Sequence, residues 1–133
     1  MTQIIQPSSL AITTIWQEAR NEPYIGKVAV GEVIRERMRR RYSSDGSVAG
    51  TVGRPYQFSG WKITDPNFLP SLYIDDFDPV VVECIKAWWE SILSKYSKGA
   101  VLYCNLSTVG VRPNWAKEEN VVVKIGGHTF FSD

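Results

Sequence analysis

Residues 16–24 constrain the fold most, because they contain a helix break between two stretches of helical periodicity. Proline disfavours the α conformation in the residue before it and suits the first turn of a new helix. Apolar residues on both sides of Pro23 recur at the three- and four-residue intervals of amphipathic helices. The spacing predicts one helix over residues 9–20 and a second over residues 23–40. The polar stripe of the second helix is predicted to comprise Lys27, Glu32, Arg35, Glu36 and Arg39.

The break contains two carboxylates in different settings, Glu18 and Glu22. The apolar face of the first helix is predicted to comprise Ala11, Ile12, Ile15 and Ala19, with Thr13, Gln17 and Arg20 on the opposite face. Glu18 falls on the flank of the apolar face, where partial desolvation raises the pKa of a carboxyl group and keeps it protonated. Glu22 falls in the first turn of the second helix, where the helix dipole favours an ionised carboxylate, so we interpret it as mainly structural. Glycoside cleavage needs a protonated carboxylic acid, which makes Glu18 the candidate catalytic acid.

A third helix is predicted from Pro79 to about residue 98, with Asp78 as its N-cap. Its apolar residues at helical spacing are expected in the core: Val81, Ile85, Trp88, Ile92 and Tyr96. The remaining predictions are loops over residues 42–51 and 53–61, an extended run over residues 100–105 and a strand over residues 121–125. These elements indicate a single domain spanning residues 1–133. Its predicted fold class is mainly α (α+β), a helical domain with a small hairpin or extended segments.

Composition excludes several classes of function. The formal net charge of +1 gives no global indication of a nucleic-acid or membrane partner. No apolar run reaches about 18 residues, so we expect no stable membrane insertion. The opening residues lack the basic region of a signal peptide, so we expect synthesis in the cytoplasm without one. Five arginines between residues 35 and 41 indicate either a phosphate-binding patch or a solvated helix end, and the helical spacing of Glu32 and Glu36 favours the second.

Cysteine and histidine are too few for a metal site. Cys84 and Cys104 form no C-x-x-C pair, and His128 is the one histidine, so we expect no metal and no cofactor. The two thiols are expected to be buried, although the sequence leaves a disulfide open. A Cys104–His128 nucleophile pair is conceivable on residue types, but Cys104 lies in an apolar run without a helix N-terminus to lower its pKa. His128 is interpreted as structural rather than catalytic.

Four short motifs follow one another in order along the chain. They are E-A-R-N-E-P at residues 18–23 with G-K-V-A-V at residues 26–30, Q-F-S at residues 57–59, Y-C-N at residues 103–105 followed by Trp115, and I-G-G-H-T-F-F at residues 125–131. Together they resemble the SleB-type cell-wall hydrolases, a family of spore-cortex-lytic enzymes and some phage endolysins. The resemblance covers residues 16–131, nearly the whole chain.

This resemblance implies a lysozyme-like, mainly helical fold and cleavage of peptidoglycan between N-acetylmuramic acid and N-acetylglucosamine. It assigns the catalytic role to Glu18, most simply as the acid and base of a lytic transglycosylase that leaves a 1,6-anhydro end. Hydrolysis by the same site is the alternative, with a second carboxylate from Asp65, Asp75 or Asp76. The expected substrate contacts come from the motifs and from the aromatic loop that contains Tyr56, Phe58 and Trp61. They are Gln57, Phe58, Ser59, Trp61, Tyr103 and Asn105.

Two residues depart from the family pattern. Asn21 stands where the family usually has glycine, with an expected effect on the turn that presents Glu18. Glu36 stands where an asparagine is common, with an expected effect on contacts near the cleft. No wall-binding module is apparent, which resembles a monomeric phage endolysin made in the host cytoplasm and released to act on a thin Gram-negative-type wall from the periplasm.

Non-enzymatic functions remain open on the sequence alone. The aromatics of residues 56–61 are compatible with a glycan-binding module, and the arginines of residues 35–41 with a nucleic-acid-binding module. The motifs favour the enzyme, with peptidoglycan as its partner and no nucleic acid.

Overall fold

The computed structural model describes residues 6–54 and 57–133, which form helices packed against a small antiparallel sheet. The helices are α1 (Pro7–Ala19), α2 (Tyr24–Arg40), α3 (Val48–Val52), α4 (Phe68–Ser71) and α5 (Pro79–Glu90), and the strands are β1 (Leu102–Cys104), β2 (Val121–Ile125) and β3 (His128–Phe131). Short 3-10 turns cover Ser59–Trp61 and Glu118–Asn120. The predicted fold class, mainly α with a small extended part, is confirmed.

The predicted helix break lies between α1 and α2. The Arg20 N–H caps α1 by donating to the Trp16 carbonyl at 3.3 Å, and α2 begins directly after Pro23. Helices α1, α2 and α5 pack against one another around the main apolar cluster, which includes Ala11, Ile15, Ala19, Val30, Ile34, Val48, Val52, Phe58, Cys84 and Trp88. Burial of this surface supplies most of the driving force for the helical layer.

The predicted polar faces of α1 and α2 are wrong in part. Gln17, assigned to solvent, is buried and donates from Nε2 to Ser71 Oγ at 3.0 Å, because α4 packs over that side of α1. Lys27 and Glu32, assigned to the polar stripe of α2, are also buried. The Lys27 ammonium is compensated by Glu83 at 3.1 Å. Helix α2 contacts α1, α3, α5 and β2, so little of its surface is left for solvent.

Helix α5 ends at Glu90 rather than near residue 98. The buried carboxylate of Glu32 accepts the backbone N–H groups of Tyr96 and Ser97 at 3.0 and 2.7 Å, which holds the chain in turns where a longer helix was expected. Ile92 and Tyr96 are consequently 54% and 41% exposed. Their predicted place in the core is wrong, because the helical spacing on which it depended stops with the helix.

Helix α3 begins at Val48, within residues 42–51, where a loop was predicted. The Ser47 hydroxyl caps α3 by accepting the Gly50 N–H at 2.9 Å, and Val48 and Val52 are buried in the main cluster. Residues 57–61 form the irregular loop that was expected, with a single 3-10 turn. The prediction for Tyr56 lies outside the described residues.

The sheet has the strand order β1-β3-β2, and both pairs are antiparallel. Strands β2 and β3 form a hairpin whose turn is Gly126-Gly127, and Gly126 has a φ of 57°, a conformation that favours glycine. Strand β3 is central and buried, and it packs against α2 through Phe130. Within the described part of the chain, no helix has the length and apolar character needed to cross a bilayer.

Candidate active site

Glu18 lies in the last turn of α1, where the helix layer meets the sheet. Its Oε1 accepts a hydrogen bond of 2.5 Å from the hydroxyl of Tyr103 on β1. The Tyr103 ring packs against the rings of His128 and Phe130, at centroid distances of 4.9 and 5.5 Å. Three elements of the fold therefore restrict the position of one half-buried carboxyl group.

Burial raises the pKa of Glu18 above its ordinary value of 4.5. The Tyr103 hydrogen bond opposes this shift because it favours the ionised carboxylate, Asp65 reinforces it, and the Arg37 guanidinium opposes it. The net effect keeps Glu18 protonated to a higher pH than a solvated glutamate. This environment is the one that the helical wheel predicted from the sequence.

Two cavities have Glu18 in common among their described lining residues. The larger, about 570 Å³, is lined by Glu18 together with Gly53, Arg54, Gln57, Phe58, Ser59, Trp61 and Lys62. The smaller, about 270 Å³, is lined by Glu18 together with Gln17, Ala19, Arg20, Asn21, Glu22, Asn67, Asn105, Thr108 and His128. A chain-like ligand that occupies both cavities would place one of its internal bonds beside the Glu18 carboxyl group.

The larger cavity contains four of the six residues that the sequence predicted as substrate contacts. The Gln57 Oε1 accepts a hydrogen bond from Arg37 at 3.1 Å, and the Trp61 indole N–H donates to Thr14 at 2.8 Å. These bonds orient polar and aromatic side chains along the cavity wall. Phe58 is almost wholly buried beneath the Arg37 guanidinium, so most of its ring belongs to the core.

The other two predicted substrate contacts occupy different positions. Asn105 lines the smaller cavity, and its Oδ1 accepts hydrogen bonds from the backbone and hydroxyl of Ser107, which stabilise the loop after β1. Tyr103 lies behind Glu18 as its hydrogen-bond donor. Its contact is therefore with the candidate catalytic group.

Glu22 is the second carboxylate among the described residues that line the smaller cavity. Its Oε1 accepts the Gly127 N–H at 2.7 Å, a bond that joins the helix break to the β2–β3 turn and agrees with the structural role predicted for it. Asp75 caps an exposed turn at Phe77, whereas Asp65 affects Glu18 electrostatically without lining either cavity. Glu22, not the loop aspartates, is the carboxylate that shares a cavity with Glu18.

The histidine and cysteine chemistry does not support a thiol nucleophile. Both cysteines are free, and burial raises the pKa of Cys84 to about 12 and that of Cys104 above its ordinary value. Burial lowers the pKa of His128, with partial opposition from Glu22. The His128 Nδ1 is buried without a hydrogen-bond partner in the described structure, so it is not held by a Cys–His pair.

Comparison with known proteins decides the family. A family model described as Cell Wall Hydrolase matches residues 21–131. The chain belongs to this family. Membership confirms the resemblance that the four motifs predicted and makes the chain an enzyme of the cell wall hydrolase class. The match begins three residues after Glu18, so the assignment of that residue depends on the geometry above. A comparison with curated protein sequences found no match.

Two solved structures share the fold of this cell wall hydrolase. The catalytic domain of the germination-specific lytic transglycosylase SleB from Bacillus anthracis is 24% identical, with a TM-score of 0.75 over 99% of this chain and 99% of that chain. The catalytic domain of the Bacillus cereus SleB protein is 25% identical, with a TM-score of 0.76 over 99% of this chain and 94% of that chain. The lysozyme-like, mainly helical fold that the resemblance implied is therefore confirmed.

Position 21, where Asn21 departs from the family pattern, does not require glycine in this structure. The described non-glycine residues with positive φ are Arg41, Ser43 and Lys98. Asn21 is exposed at the smaller cavity in an ordinary conformation.

The expectation for Glu36 is wrong. Its carboxylate pairs with Arg39 and Arg40, and it faces a separate cavity whose described lining shares no residue with the two at Glu18. Glu36 therefore does not alter contacts near the cleft.

Several site residues were missed by the sequence analysis. They are Arg37, Arg54, Lys62, Asn67 and Thr108. Arg37 lies in the charged helix end and Arg54 in a predicted loop, whereas the other three lie between the predicted elements. Tertiary packing brings all five to the site. Arg37 in particular is buried and donates to the Val101 carbonyl at 2.6 Å, which local periodicity does not indicate.

Proposed function

We propose that this cell wall hydrolase cleaves the β-1,4 bond between N-acetylmuramic acid and N-acetylglucosamine in peptidoglycan, as a lytic transglycosylase with Glu18 as acid and base. The observation that carries the proposal is the position of Glu18, half-buried with a raised pKa where two cavities meet. Family membership and the name of the Bacillus anthracis relative, a lytic transglycosylase, support the substrate class.

The reaction uses one carboxyl group twice. Protonated Glu18 donates its proton to the glycosidic oxygen as the bond between that oxygen and C1 of N-acetylmuramic acid breaks. The resulting carboxylate accepts the proton of the 6-hydroxyl of the same sugar while O6 bonds to C1, which closes a 1,6-anhydro ring and restores protonated Glu18. The Tyr103 hydroxyl stabilises the carboxylate between these steps, because its hydrogen bond is strongest to the ionised form.

The larger cavity offers the residues for binding the sugars on one side of the scissile bond. Trp61 presents an aromatic surface of the kind that packs against sugar rings, and Gln57 and Ser59 offer polar groups. Asn105 and Asn67 offer amides in the smaller cavity on the other side. We propose Gln57, Phe58, Ser59, Trp61 and Asn105 as substrate contacts, and Tyr103 as a residue that positions Glu18.

Hydrolysis by the same site is the second candidate. It requires a carboxylate that activates water, and Glu22 favours this route because it shares the smaller cavity with Glu18. The Gly127 N–H that Glu22 already accepts favours the structural role instead. The two routes differ in their products, since hydrolysis leaves a reducing end and transglycosylation an anhydro end.

Digestion of purified peptidoglycan by Glu18→Gln protein tests the assignment. The substitution keeps the shape of the side chain and the acceptor for Tyr103 but removes the proton, so we expect release of muropeptides to fall by roughly 10²- to 10⁴-fold. The control is Glu119→Gln, an exposed glutamate outside both cavities. Release by the Glu18→Gln protein at the wild-type rate would exclude Glu18 as the catalytic acid.

We further propose that the chain acts alone as a monomeric phage endolysin that reaches the periplasm after release from the cytoplasm. Expression in a Gram-negative host tests this role. We expect lysis after the inner membrane is permeabilised and none before. Lysis without permeabilisation would contradict the proposed need for release, and an elution mass above that of the 15.0 kDa chain would contradict the monomer.

A further inference from the structure

The surface at the C-terminal end of α5 exposes a run of apolar side chains. Trp89, Ile92, Leu93 and Tyr96 are 55%, 54%, 87% and 41% exposed, and all four lie within eight residues. Trp89 lies in the last turn of α5, and the other three lie in the turns after Glu90 that the buried Glu32 carboxylate holds. Single exposed apolar residues are common, but four large ones within eight residues indicate an interaction surface.

Basic side chains surround this apolar run. Lys86, Lys95 and Lys98 are exposed on the same segment. Its exposed carboxylate, Glu90, accepts a hydrogen bond from the Tyr24 hydroxyl at 2.9 Å. We call the group of Lys86, Trp89, Ile92, Leu93, Lys95, Tyr96 and Lys98 the basic-aromatic surface.

A cavity of about 760 Å³ opens beside the basic-aromatic surface. Of the described residues that line it, four are cations, Arg35, Arg39, Lys95 and Lys98, and two are carboxylates, Glu32 and Glu36. Glu32 is buried and accepts hydrogen bonds from Ser94, Tyr96 and Ser97, and Glu36 is paired with Arg39 and Arg40. Because both carboxylates are already partnered, the excess charge that faces solvent is positive.

The basic-aromatic surface and the cleft lie on different sides of α2. Arg35 reaches Trp88 and Ser91 of the α5 region, with its guanidinium 3.6 Å from the Trp88 ring centroid. Arg37, two residues later, reaches Gln57 in the cleft. Two residues correspond to about 200° of rotation around a helix, so the two side chains leave α2 in nearly opposite directions.

We propose that the basic-aromatic surface binds the surface of a lipid bilayer that contains anionic headgroups. The lysines and the basic cavity match the charge of phosphate headgroups, and tryptophan, tyrosine and aliphatic side chains favour the boundary between headgroups and acyl chains. The four exposed apolar residues favour a bilayer over a soluble polyanion, which would need the cations alone. Binding in this orientation leaves the Glu18 cleft directed away from the lipid.

Co-sedimentation with vesicles tests this proposal. We expect the protein to bind vesicles of mixed phosphatidylcholine and phosphatidylglycerol, to release as salt is raised, and to bind phosphatidylcholine alone weakly. The double substitution Lys95→Glu/Lys98→Glu is expected to weaken binding by at least about 25-fold, about fivefold for each lost lysine charge, because the added glutamates also repel anionic headgroups. Leu93→Ser is expected to weaken it on the order of tenfold through lost apolar burial.

Matched controls separate this surface from general charge and hydrophobicity. Lys117→Glu/Lys124→Glu makes the same charge change at exposed lysines of the sheet side, and Val111→Ser removes another side chain that is 87% exposed. We expect neither control to change vesicle binding. Equal losses in controls and test variants, or equal binding to both vesicle types, would overturn the proposal.

Two further readouts complete the design. The first is binding of a single-stranded oligonucleotide. If the protein binds it as strongly as it binds vesicles, and Leu93→Ser does not weaken that binding, the proposal is overturned in favour of a soluble polyanion. Digestion of purified, lipid-free peptidoglycan is expected to be unchanged in all the surface variants. This membrane site does not depend on the proposed catalytic role of Glu18, so Glu18→Gln protein should bind vesicles as the wild type does.

Discussion

At Glu18, a carboxyl group keeps contact with two cavities while burial raises its pKa. Glu22, only four residues away, is used differently, since its Oε1 is occupied by the Gly127 N–H. Because both residues are glutamates, their surroundings make Glu18 the candidate proton donor and Glu22 a structural hydrogen-bond acceptor. This separation gives predictions that concern single side chains.

Tyr103→Phe removes the hydroxyl that favours the ionised form of Glu18. The pKa of Glu18 should therefore rise further, and the alkaline limb of the activity profile should move to higher pH. Measurement of kcat/KM against pH on solubilised glycan strands checks this. The control is Tyr73→Phe, which changes a tyrosine that is 79% exposed. An unchanged profile, or a shift to lower pH, would contradict the role assigned to Tyr103.

Glu18→Gln should also alter stability in a pH-dependent way. Because the folded pKa of Glu18 lies above its unfolded value, Glu18 contributes most stability below its unfolded pKa and loses that contribution as pH rises through the folded pKa. The variant should melt at a higher temperature than the wild type at about pH 7, and the difference should shrink towards about pH 4. Calorimetry at both pH values measures it. A variant less stable at the higher pH would count against the raised pKa.

Part of this site was predictable residue by residue. The flank position of Glu18 on α1 follows from local periodicity, and that position accounts for its burial. Its partner Tyr103 is 85 residues away along the chain, and a sequence pattern carries no distance between such residues. The motifs identified Tyr103 as a site residue, but its contact with Glu18 depends on the packing of β1 against α1.

At the scale of elements, contacts between segments determine where helices and turns end. The Glu32 carboxylate of α2 accepts N–H groups from residues 96 and 97 and holds turns after α5, and the Glu22 carboxylate holds the β2–β3 turn. Helices α1 and α2 and strand β2 were predictable because their periodicity and β-branched residues are local signals. The end of α5 and the presence of α3 were not, because they depend on Glu32 and on burial of valines by distant helices.

Gly126→Ala tests the junction between the helix break and the hairpin. A Cβ at this position would lie 2.4 Å from Glu22 Oε1 and 2.8 Å from Pro23 Cδ, in addition to the unfavourable positive φ. We expect a loss of about 2 to 5 kcal/mol in the free energy of unfolding, from about 1 to 2 for the backbone and about 1 to 3 for the overlap. Denaturant unfolding measures it.

Gly110→Ala is the matched control for that substitution. Gly110 has a φ of 74°, and no described atom lies within 4 Å of its Cβ position. Only the backbone penalty of about 1 to 2 kcal/mol is expected there. Equal losses at the two glycines would show that the contact with Glu22 contributes nothing to stability.

At the scale of the whole molecule, the helical layer carries two different surfaces. One contains Glu18 and the paired cavities, and the other contains the basic-aromatic surface beside the cavity of Arg35 and Arg39. The arginines of residues 35–41 are correspondingly divided: Arg37 is buried and reaches the cleft, whereas Arg39 and Arg40 pair with Glu36 at the surface. A peripheral enzyme with its cleft directed away from lipid is suited to cutting a polymer that lies just outside the bilayer.

The mass spectrum of the products from purified peptidoglycan tests the central claim most directly. Cleavage by Glu18 acting as acid and then base predicts disaccharide-peptides with 1,6-anhydro-N-acetylmuramic acid ends, absent from a parallel digest with Glu18→Gln protein. The anhydro product is one water, about 18 Da, lighter than the hydrolysis product, so the two are resolved without separation. Products with reducing ends alone would contradict transglycosylation. Products cut only in the peptide would contradict the role of Glu18, as would anhydro ends that persist in the Glu18→Gln digest.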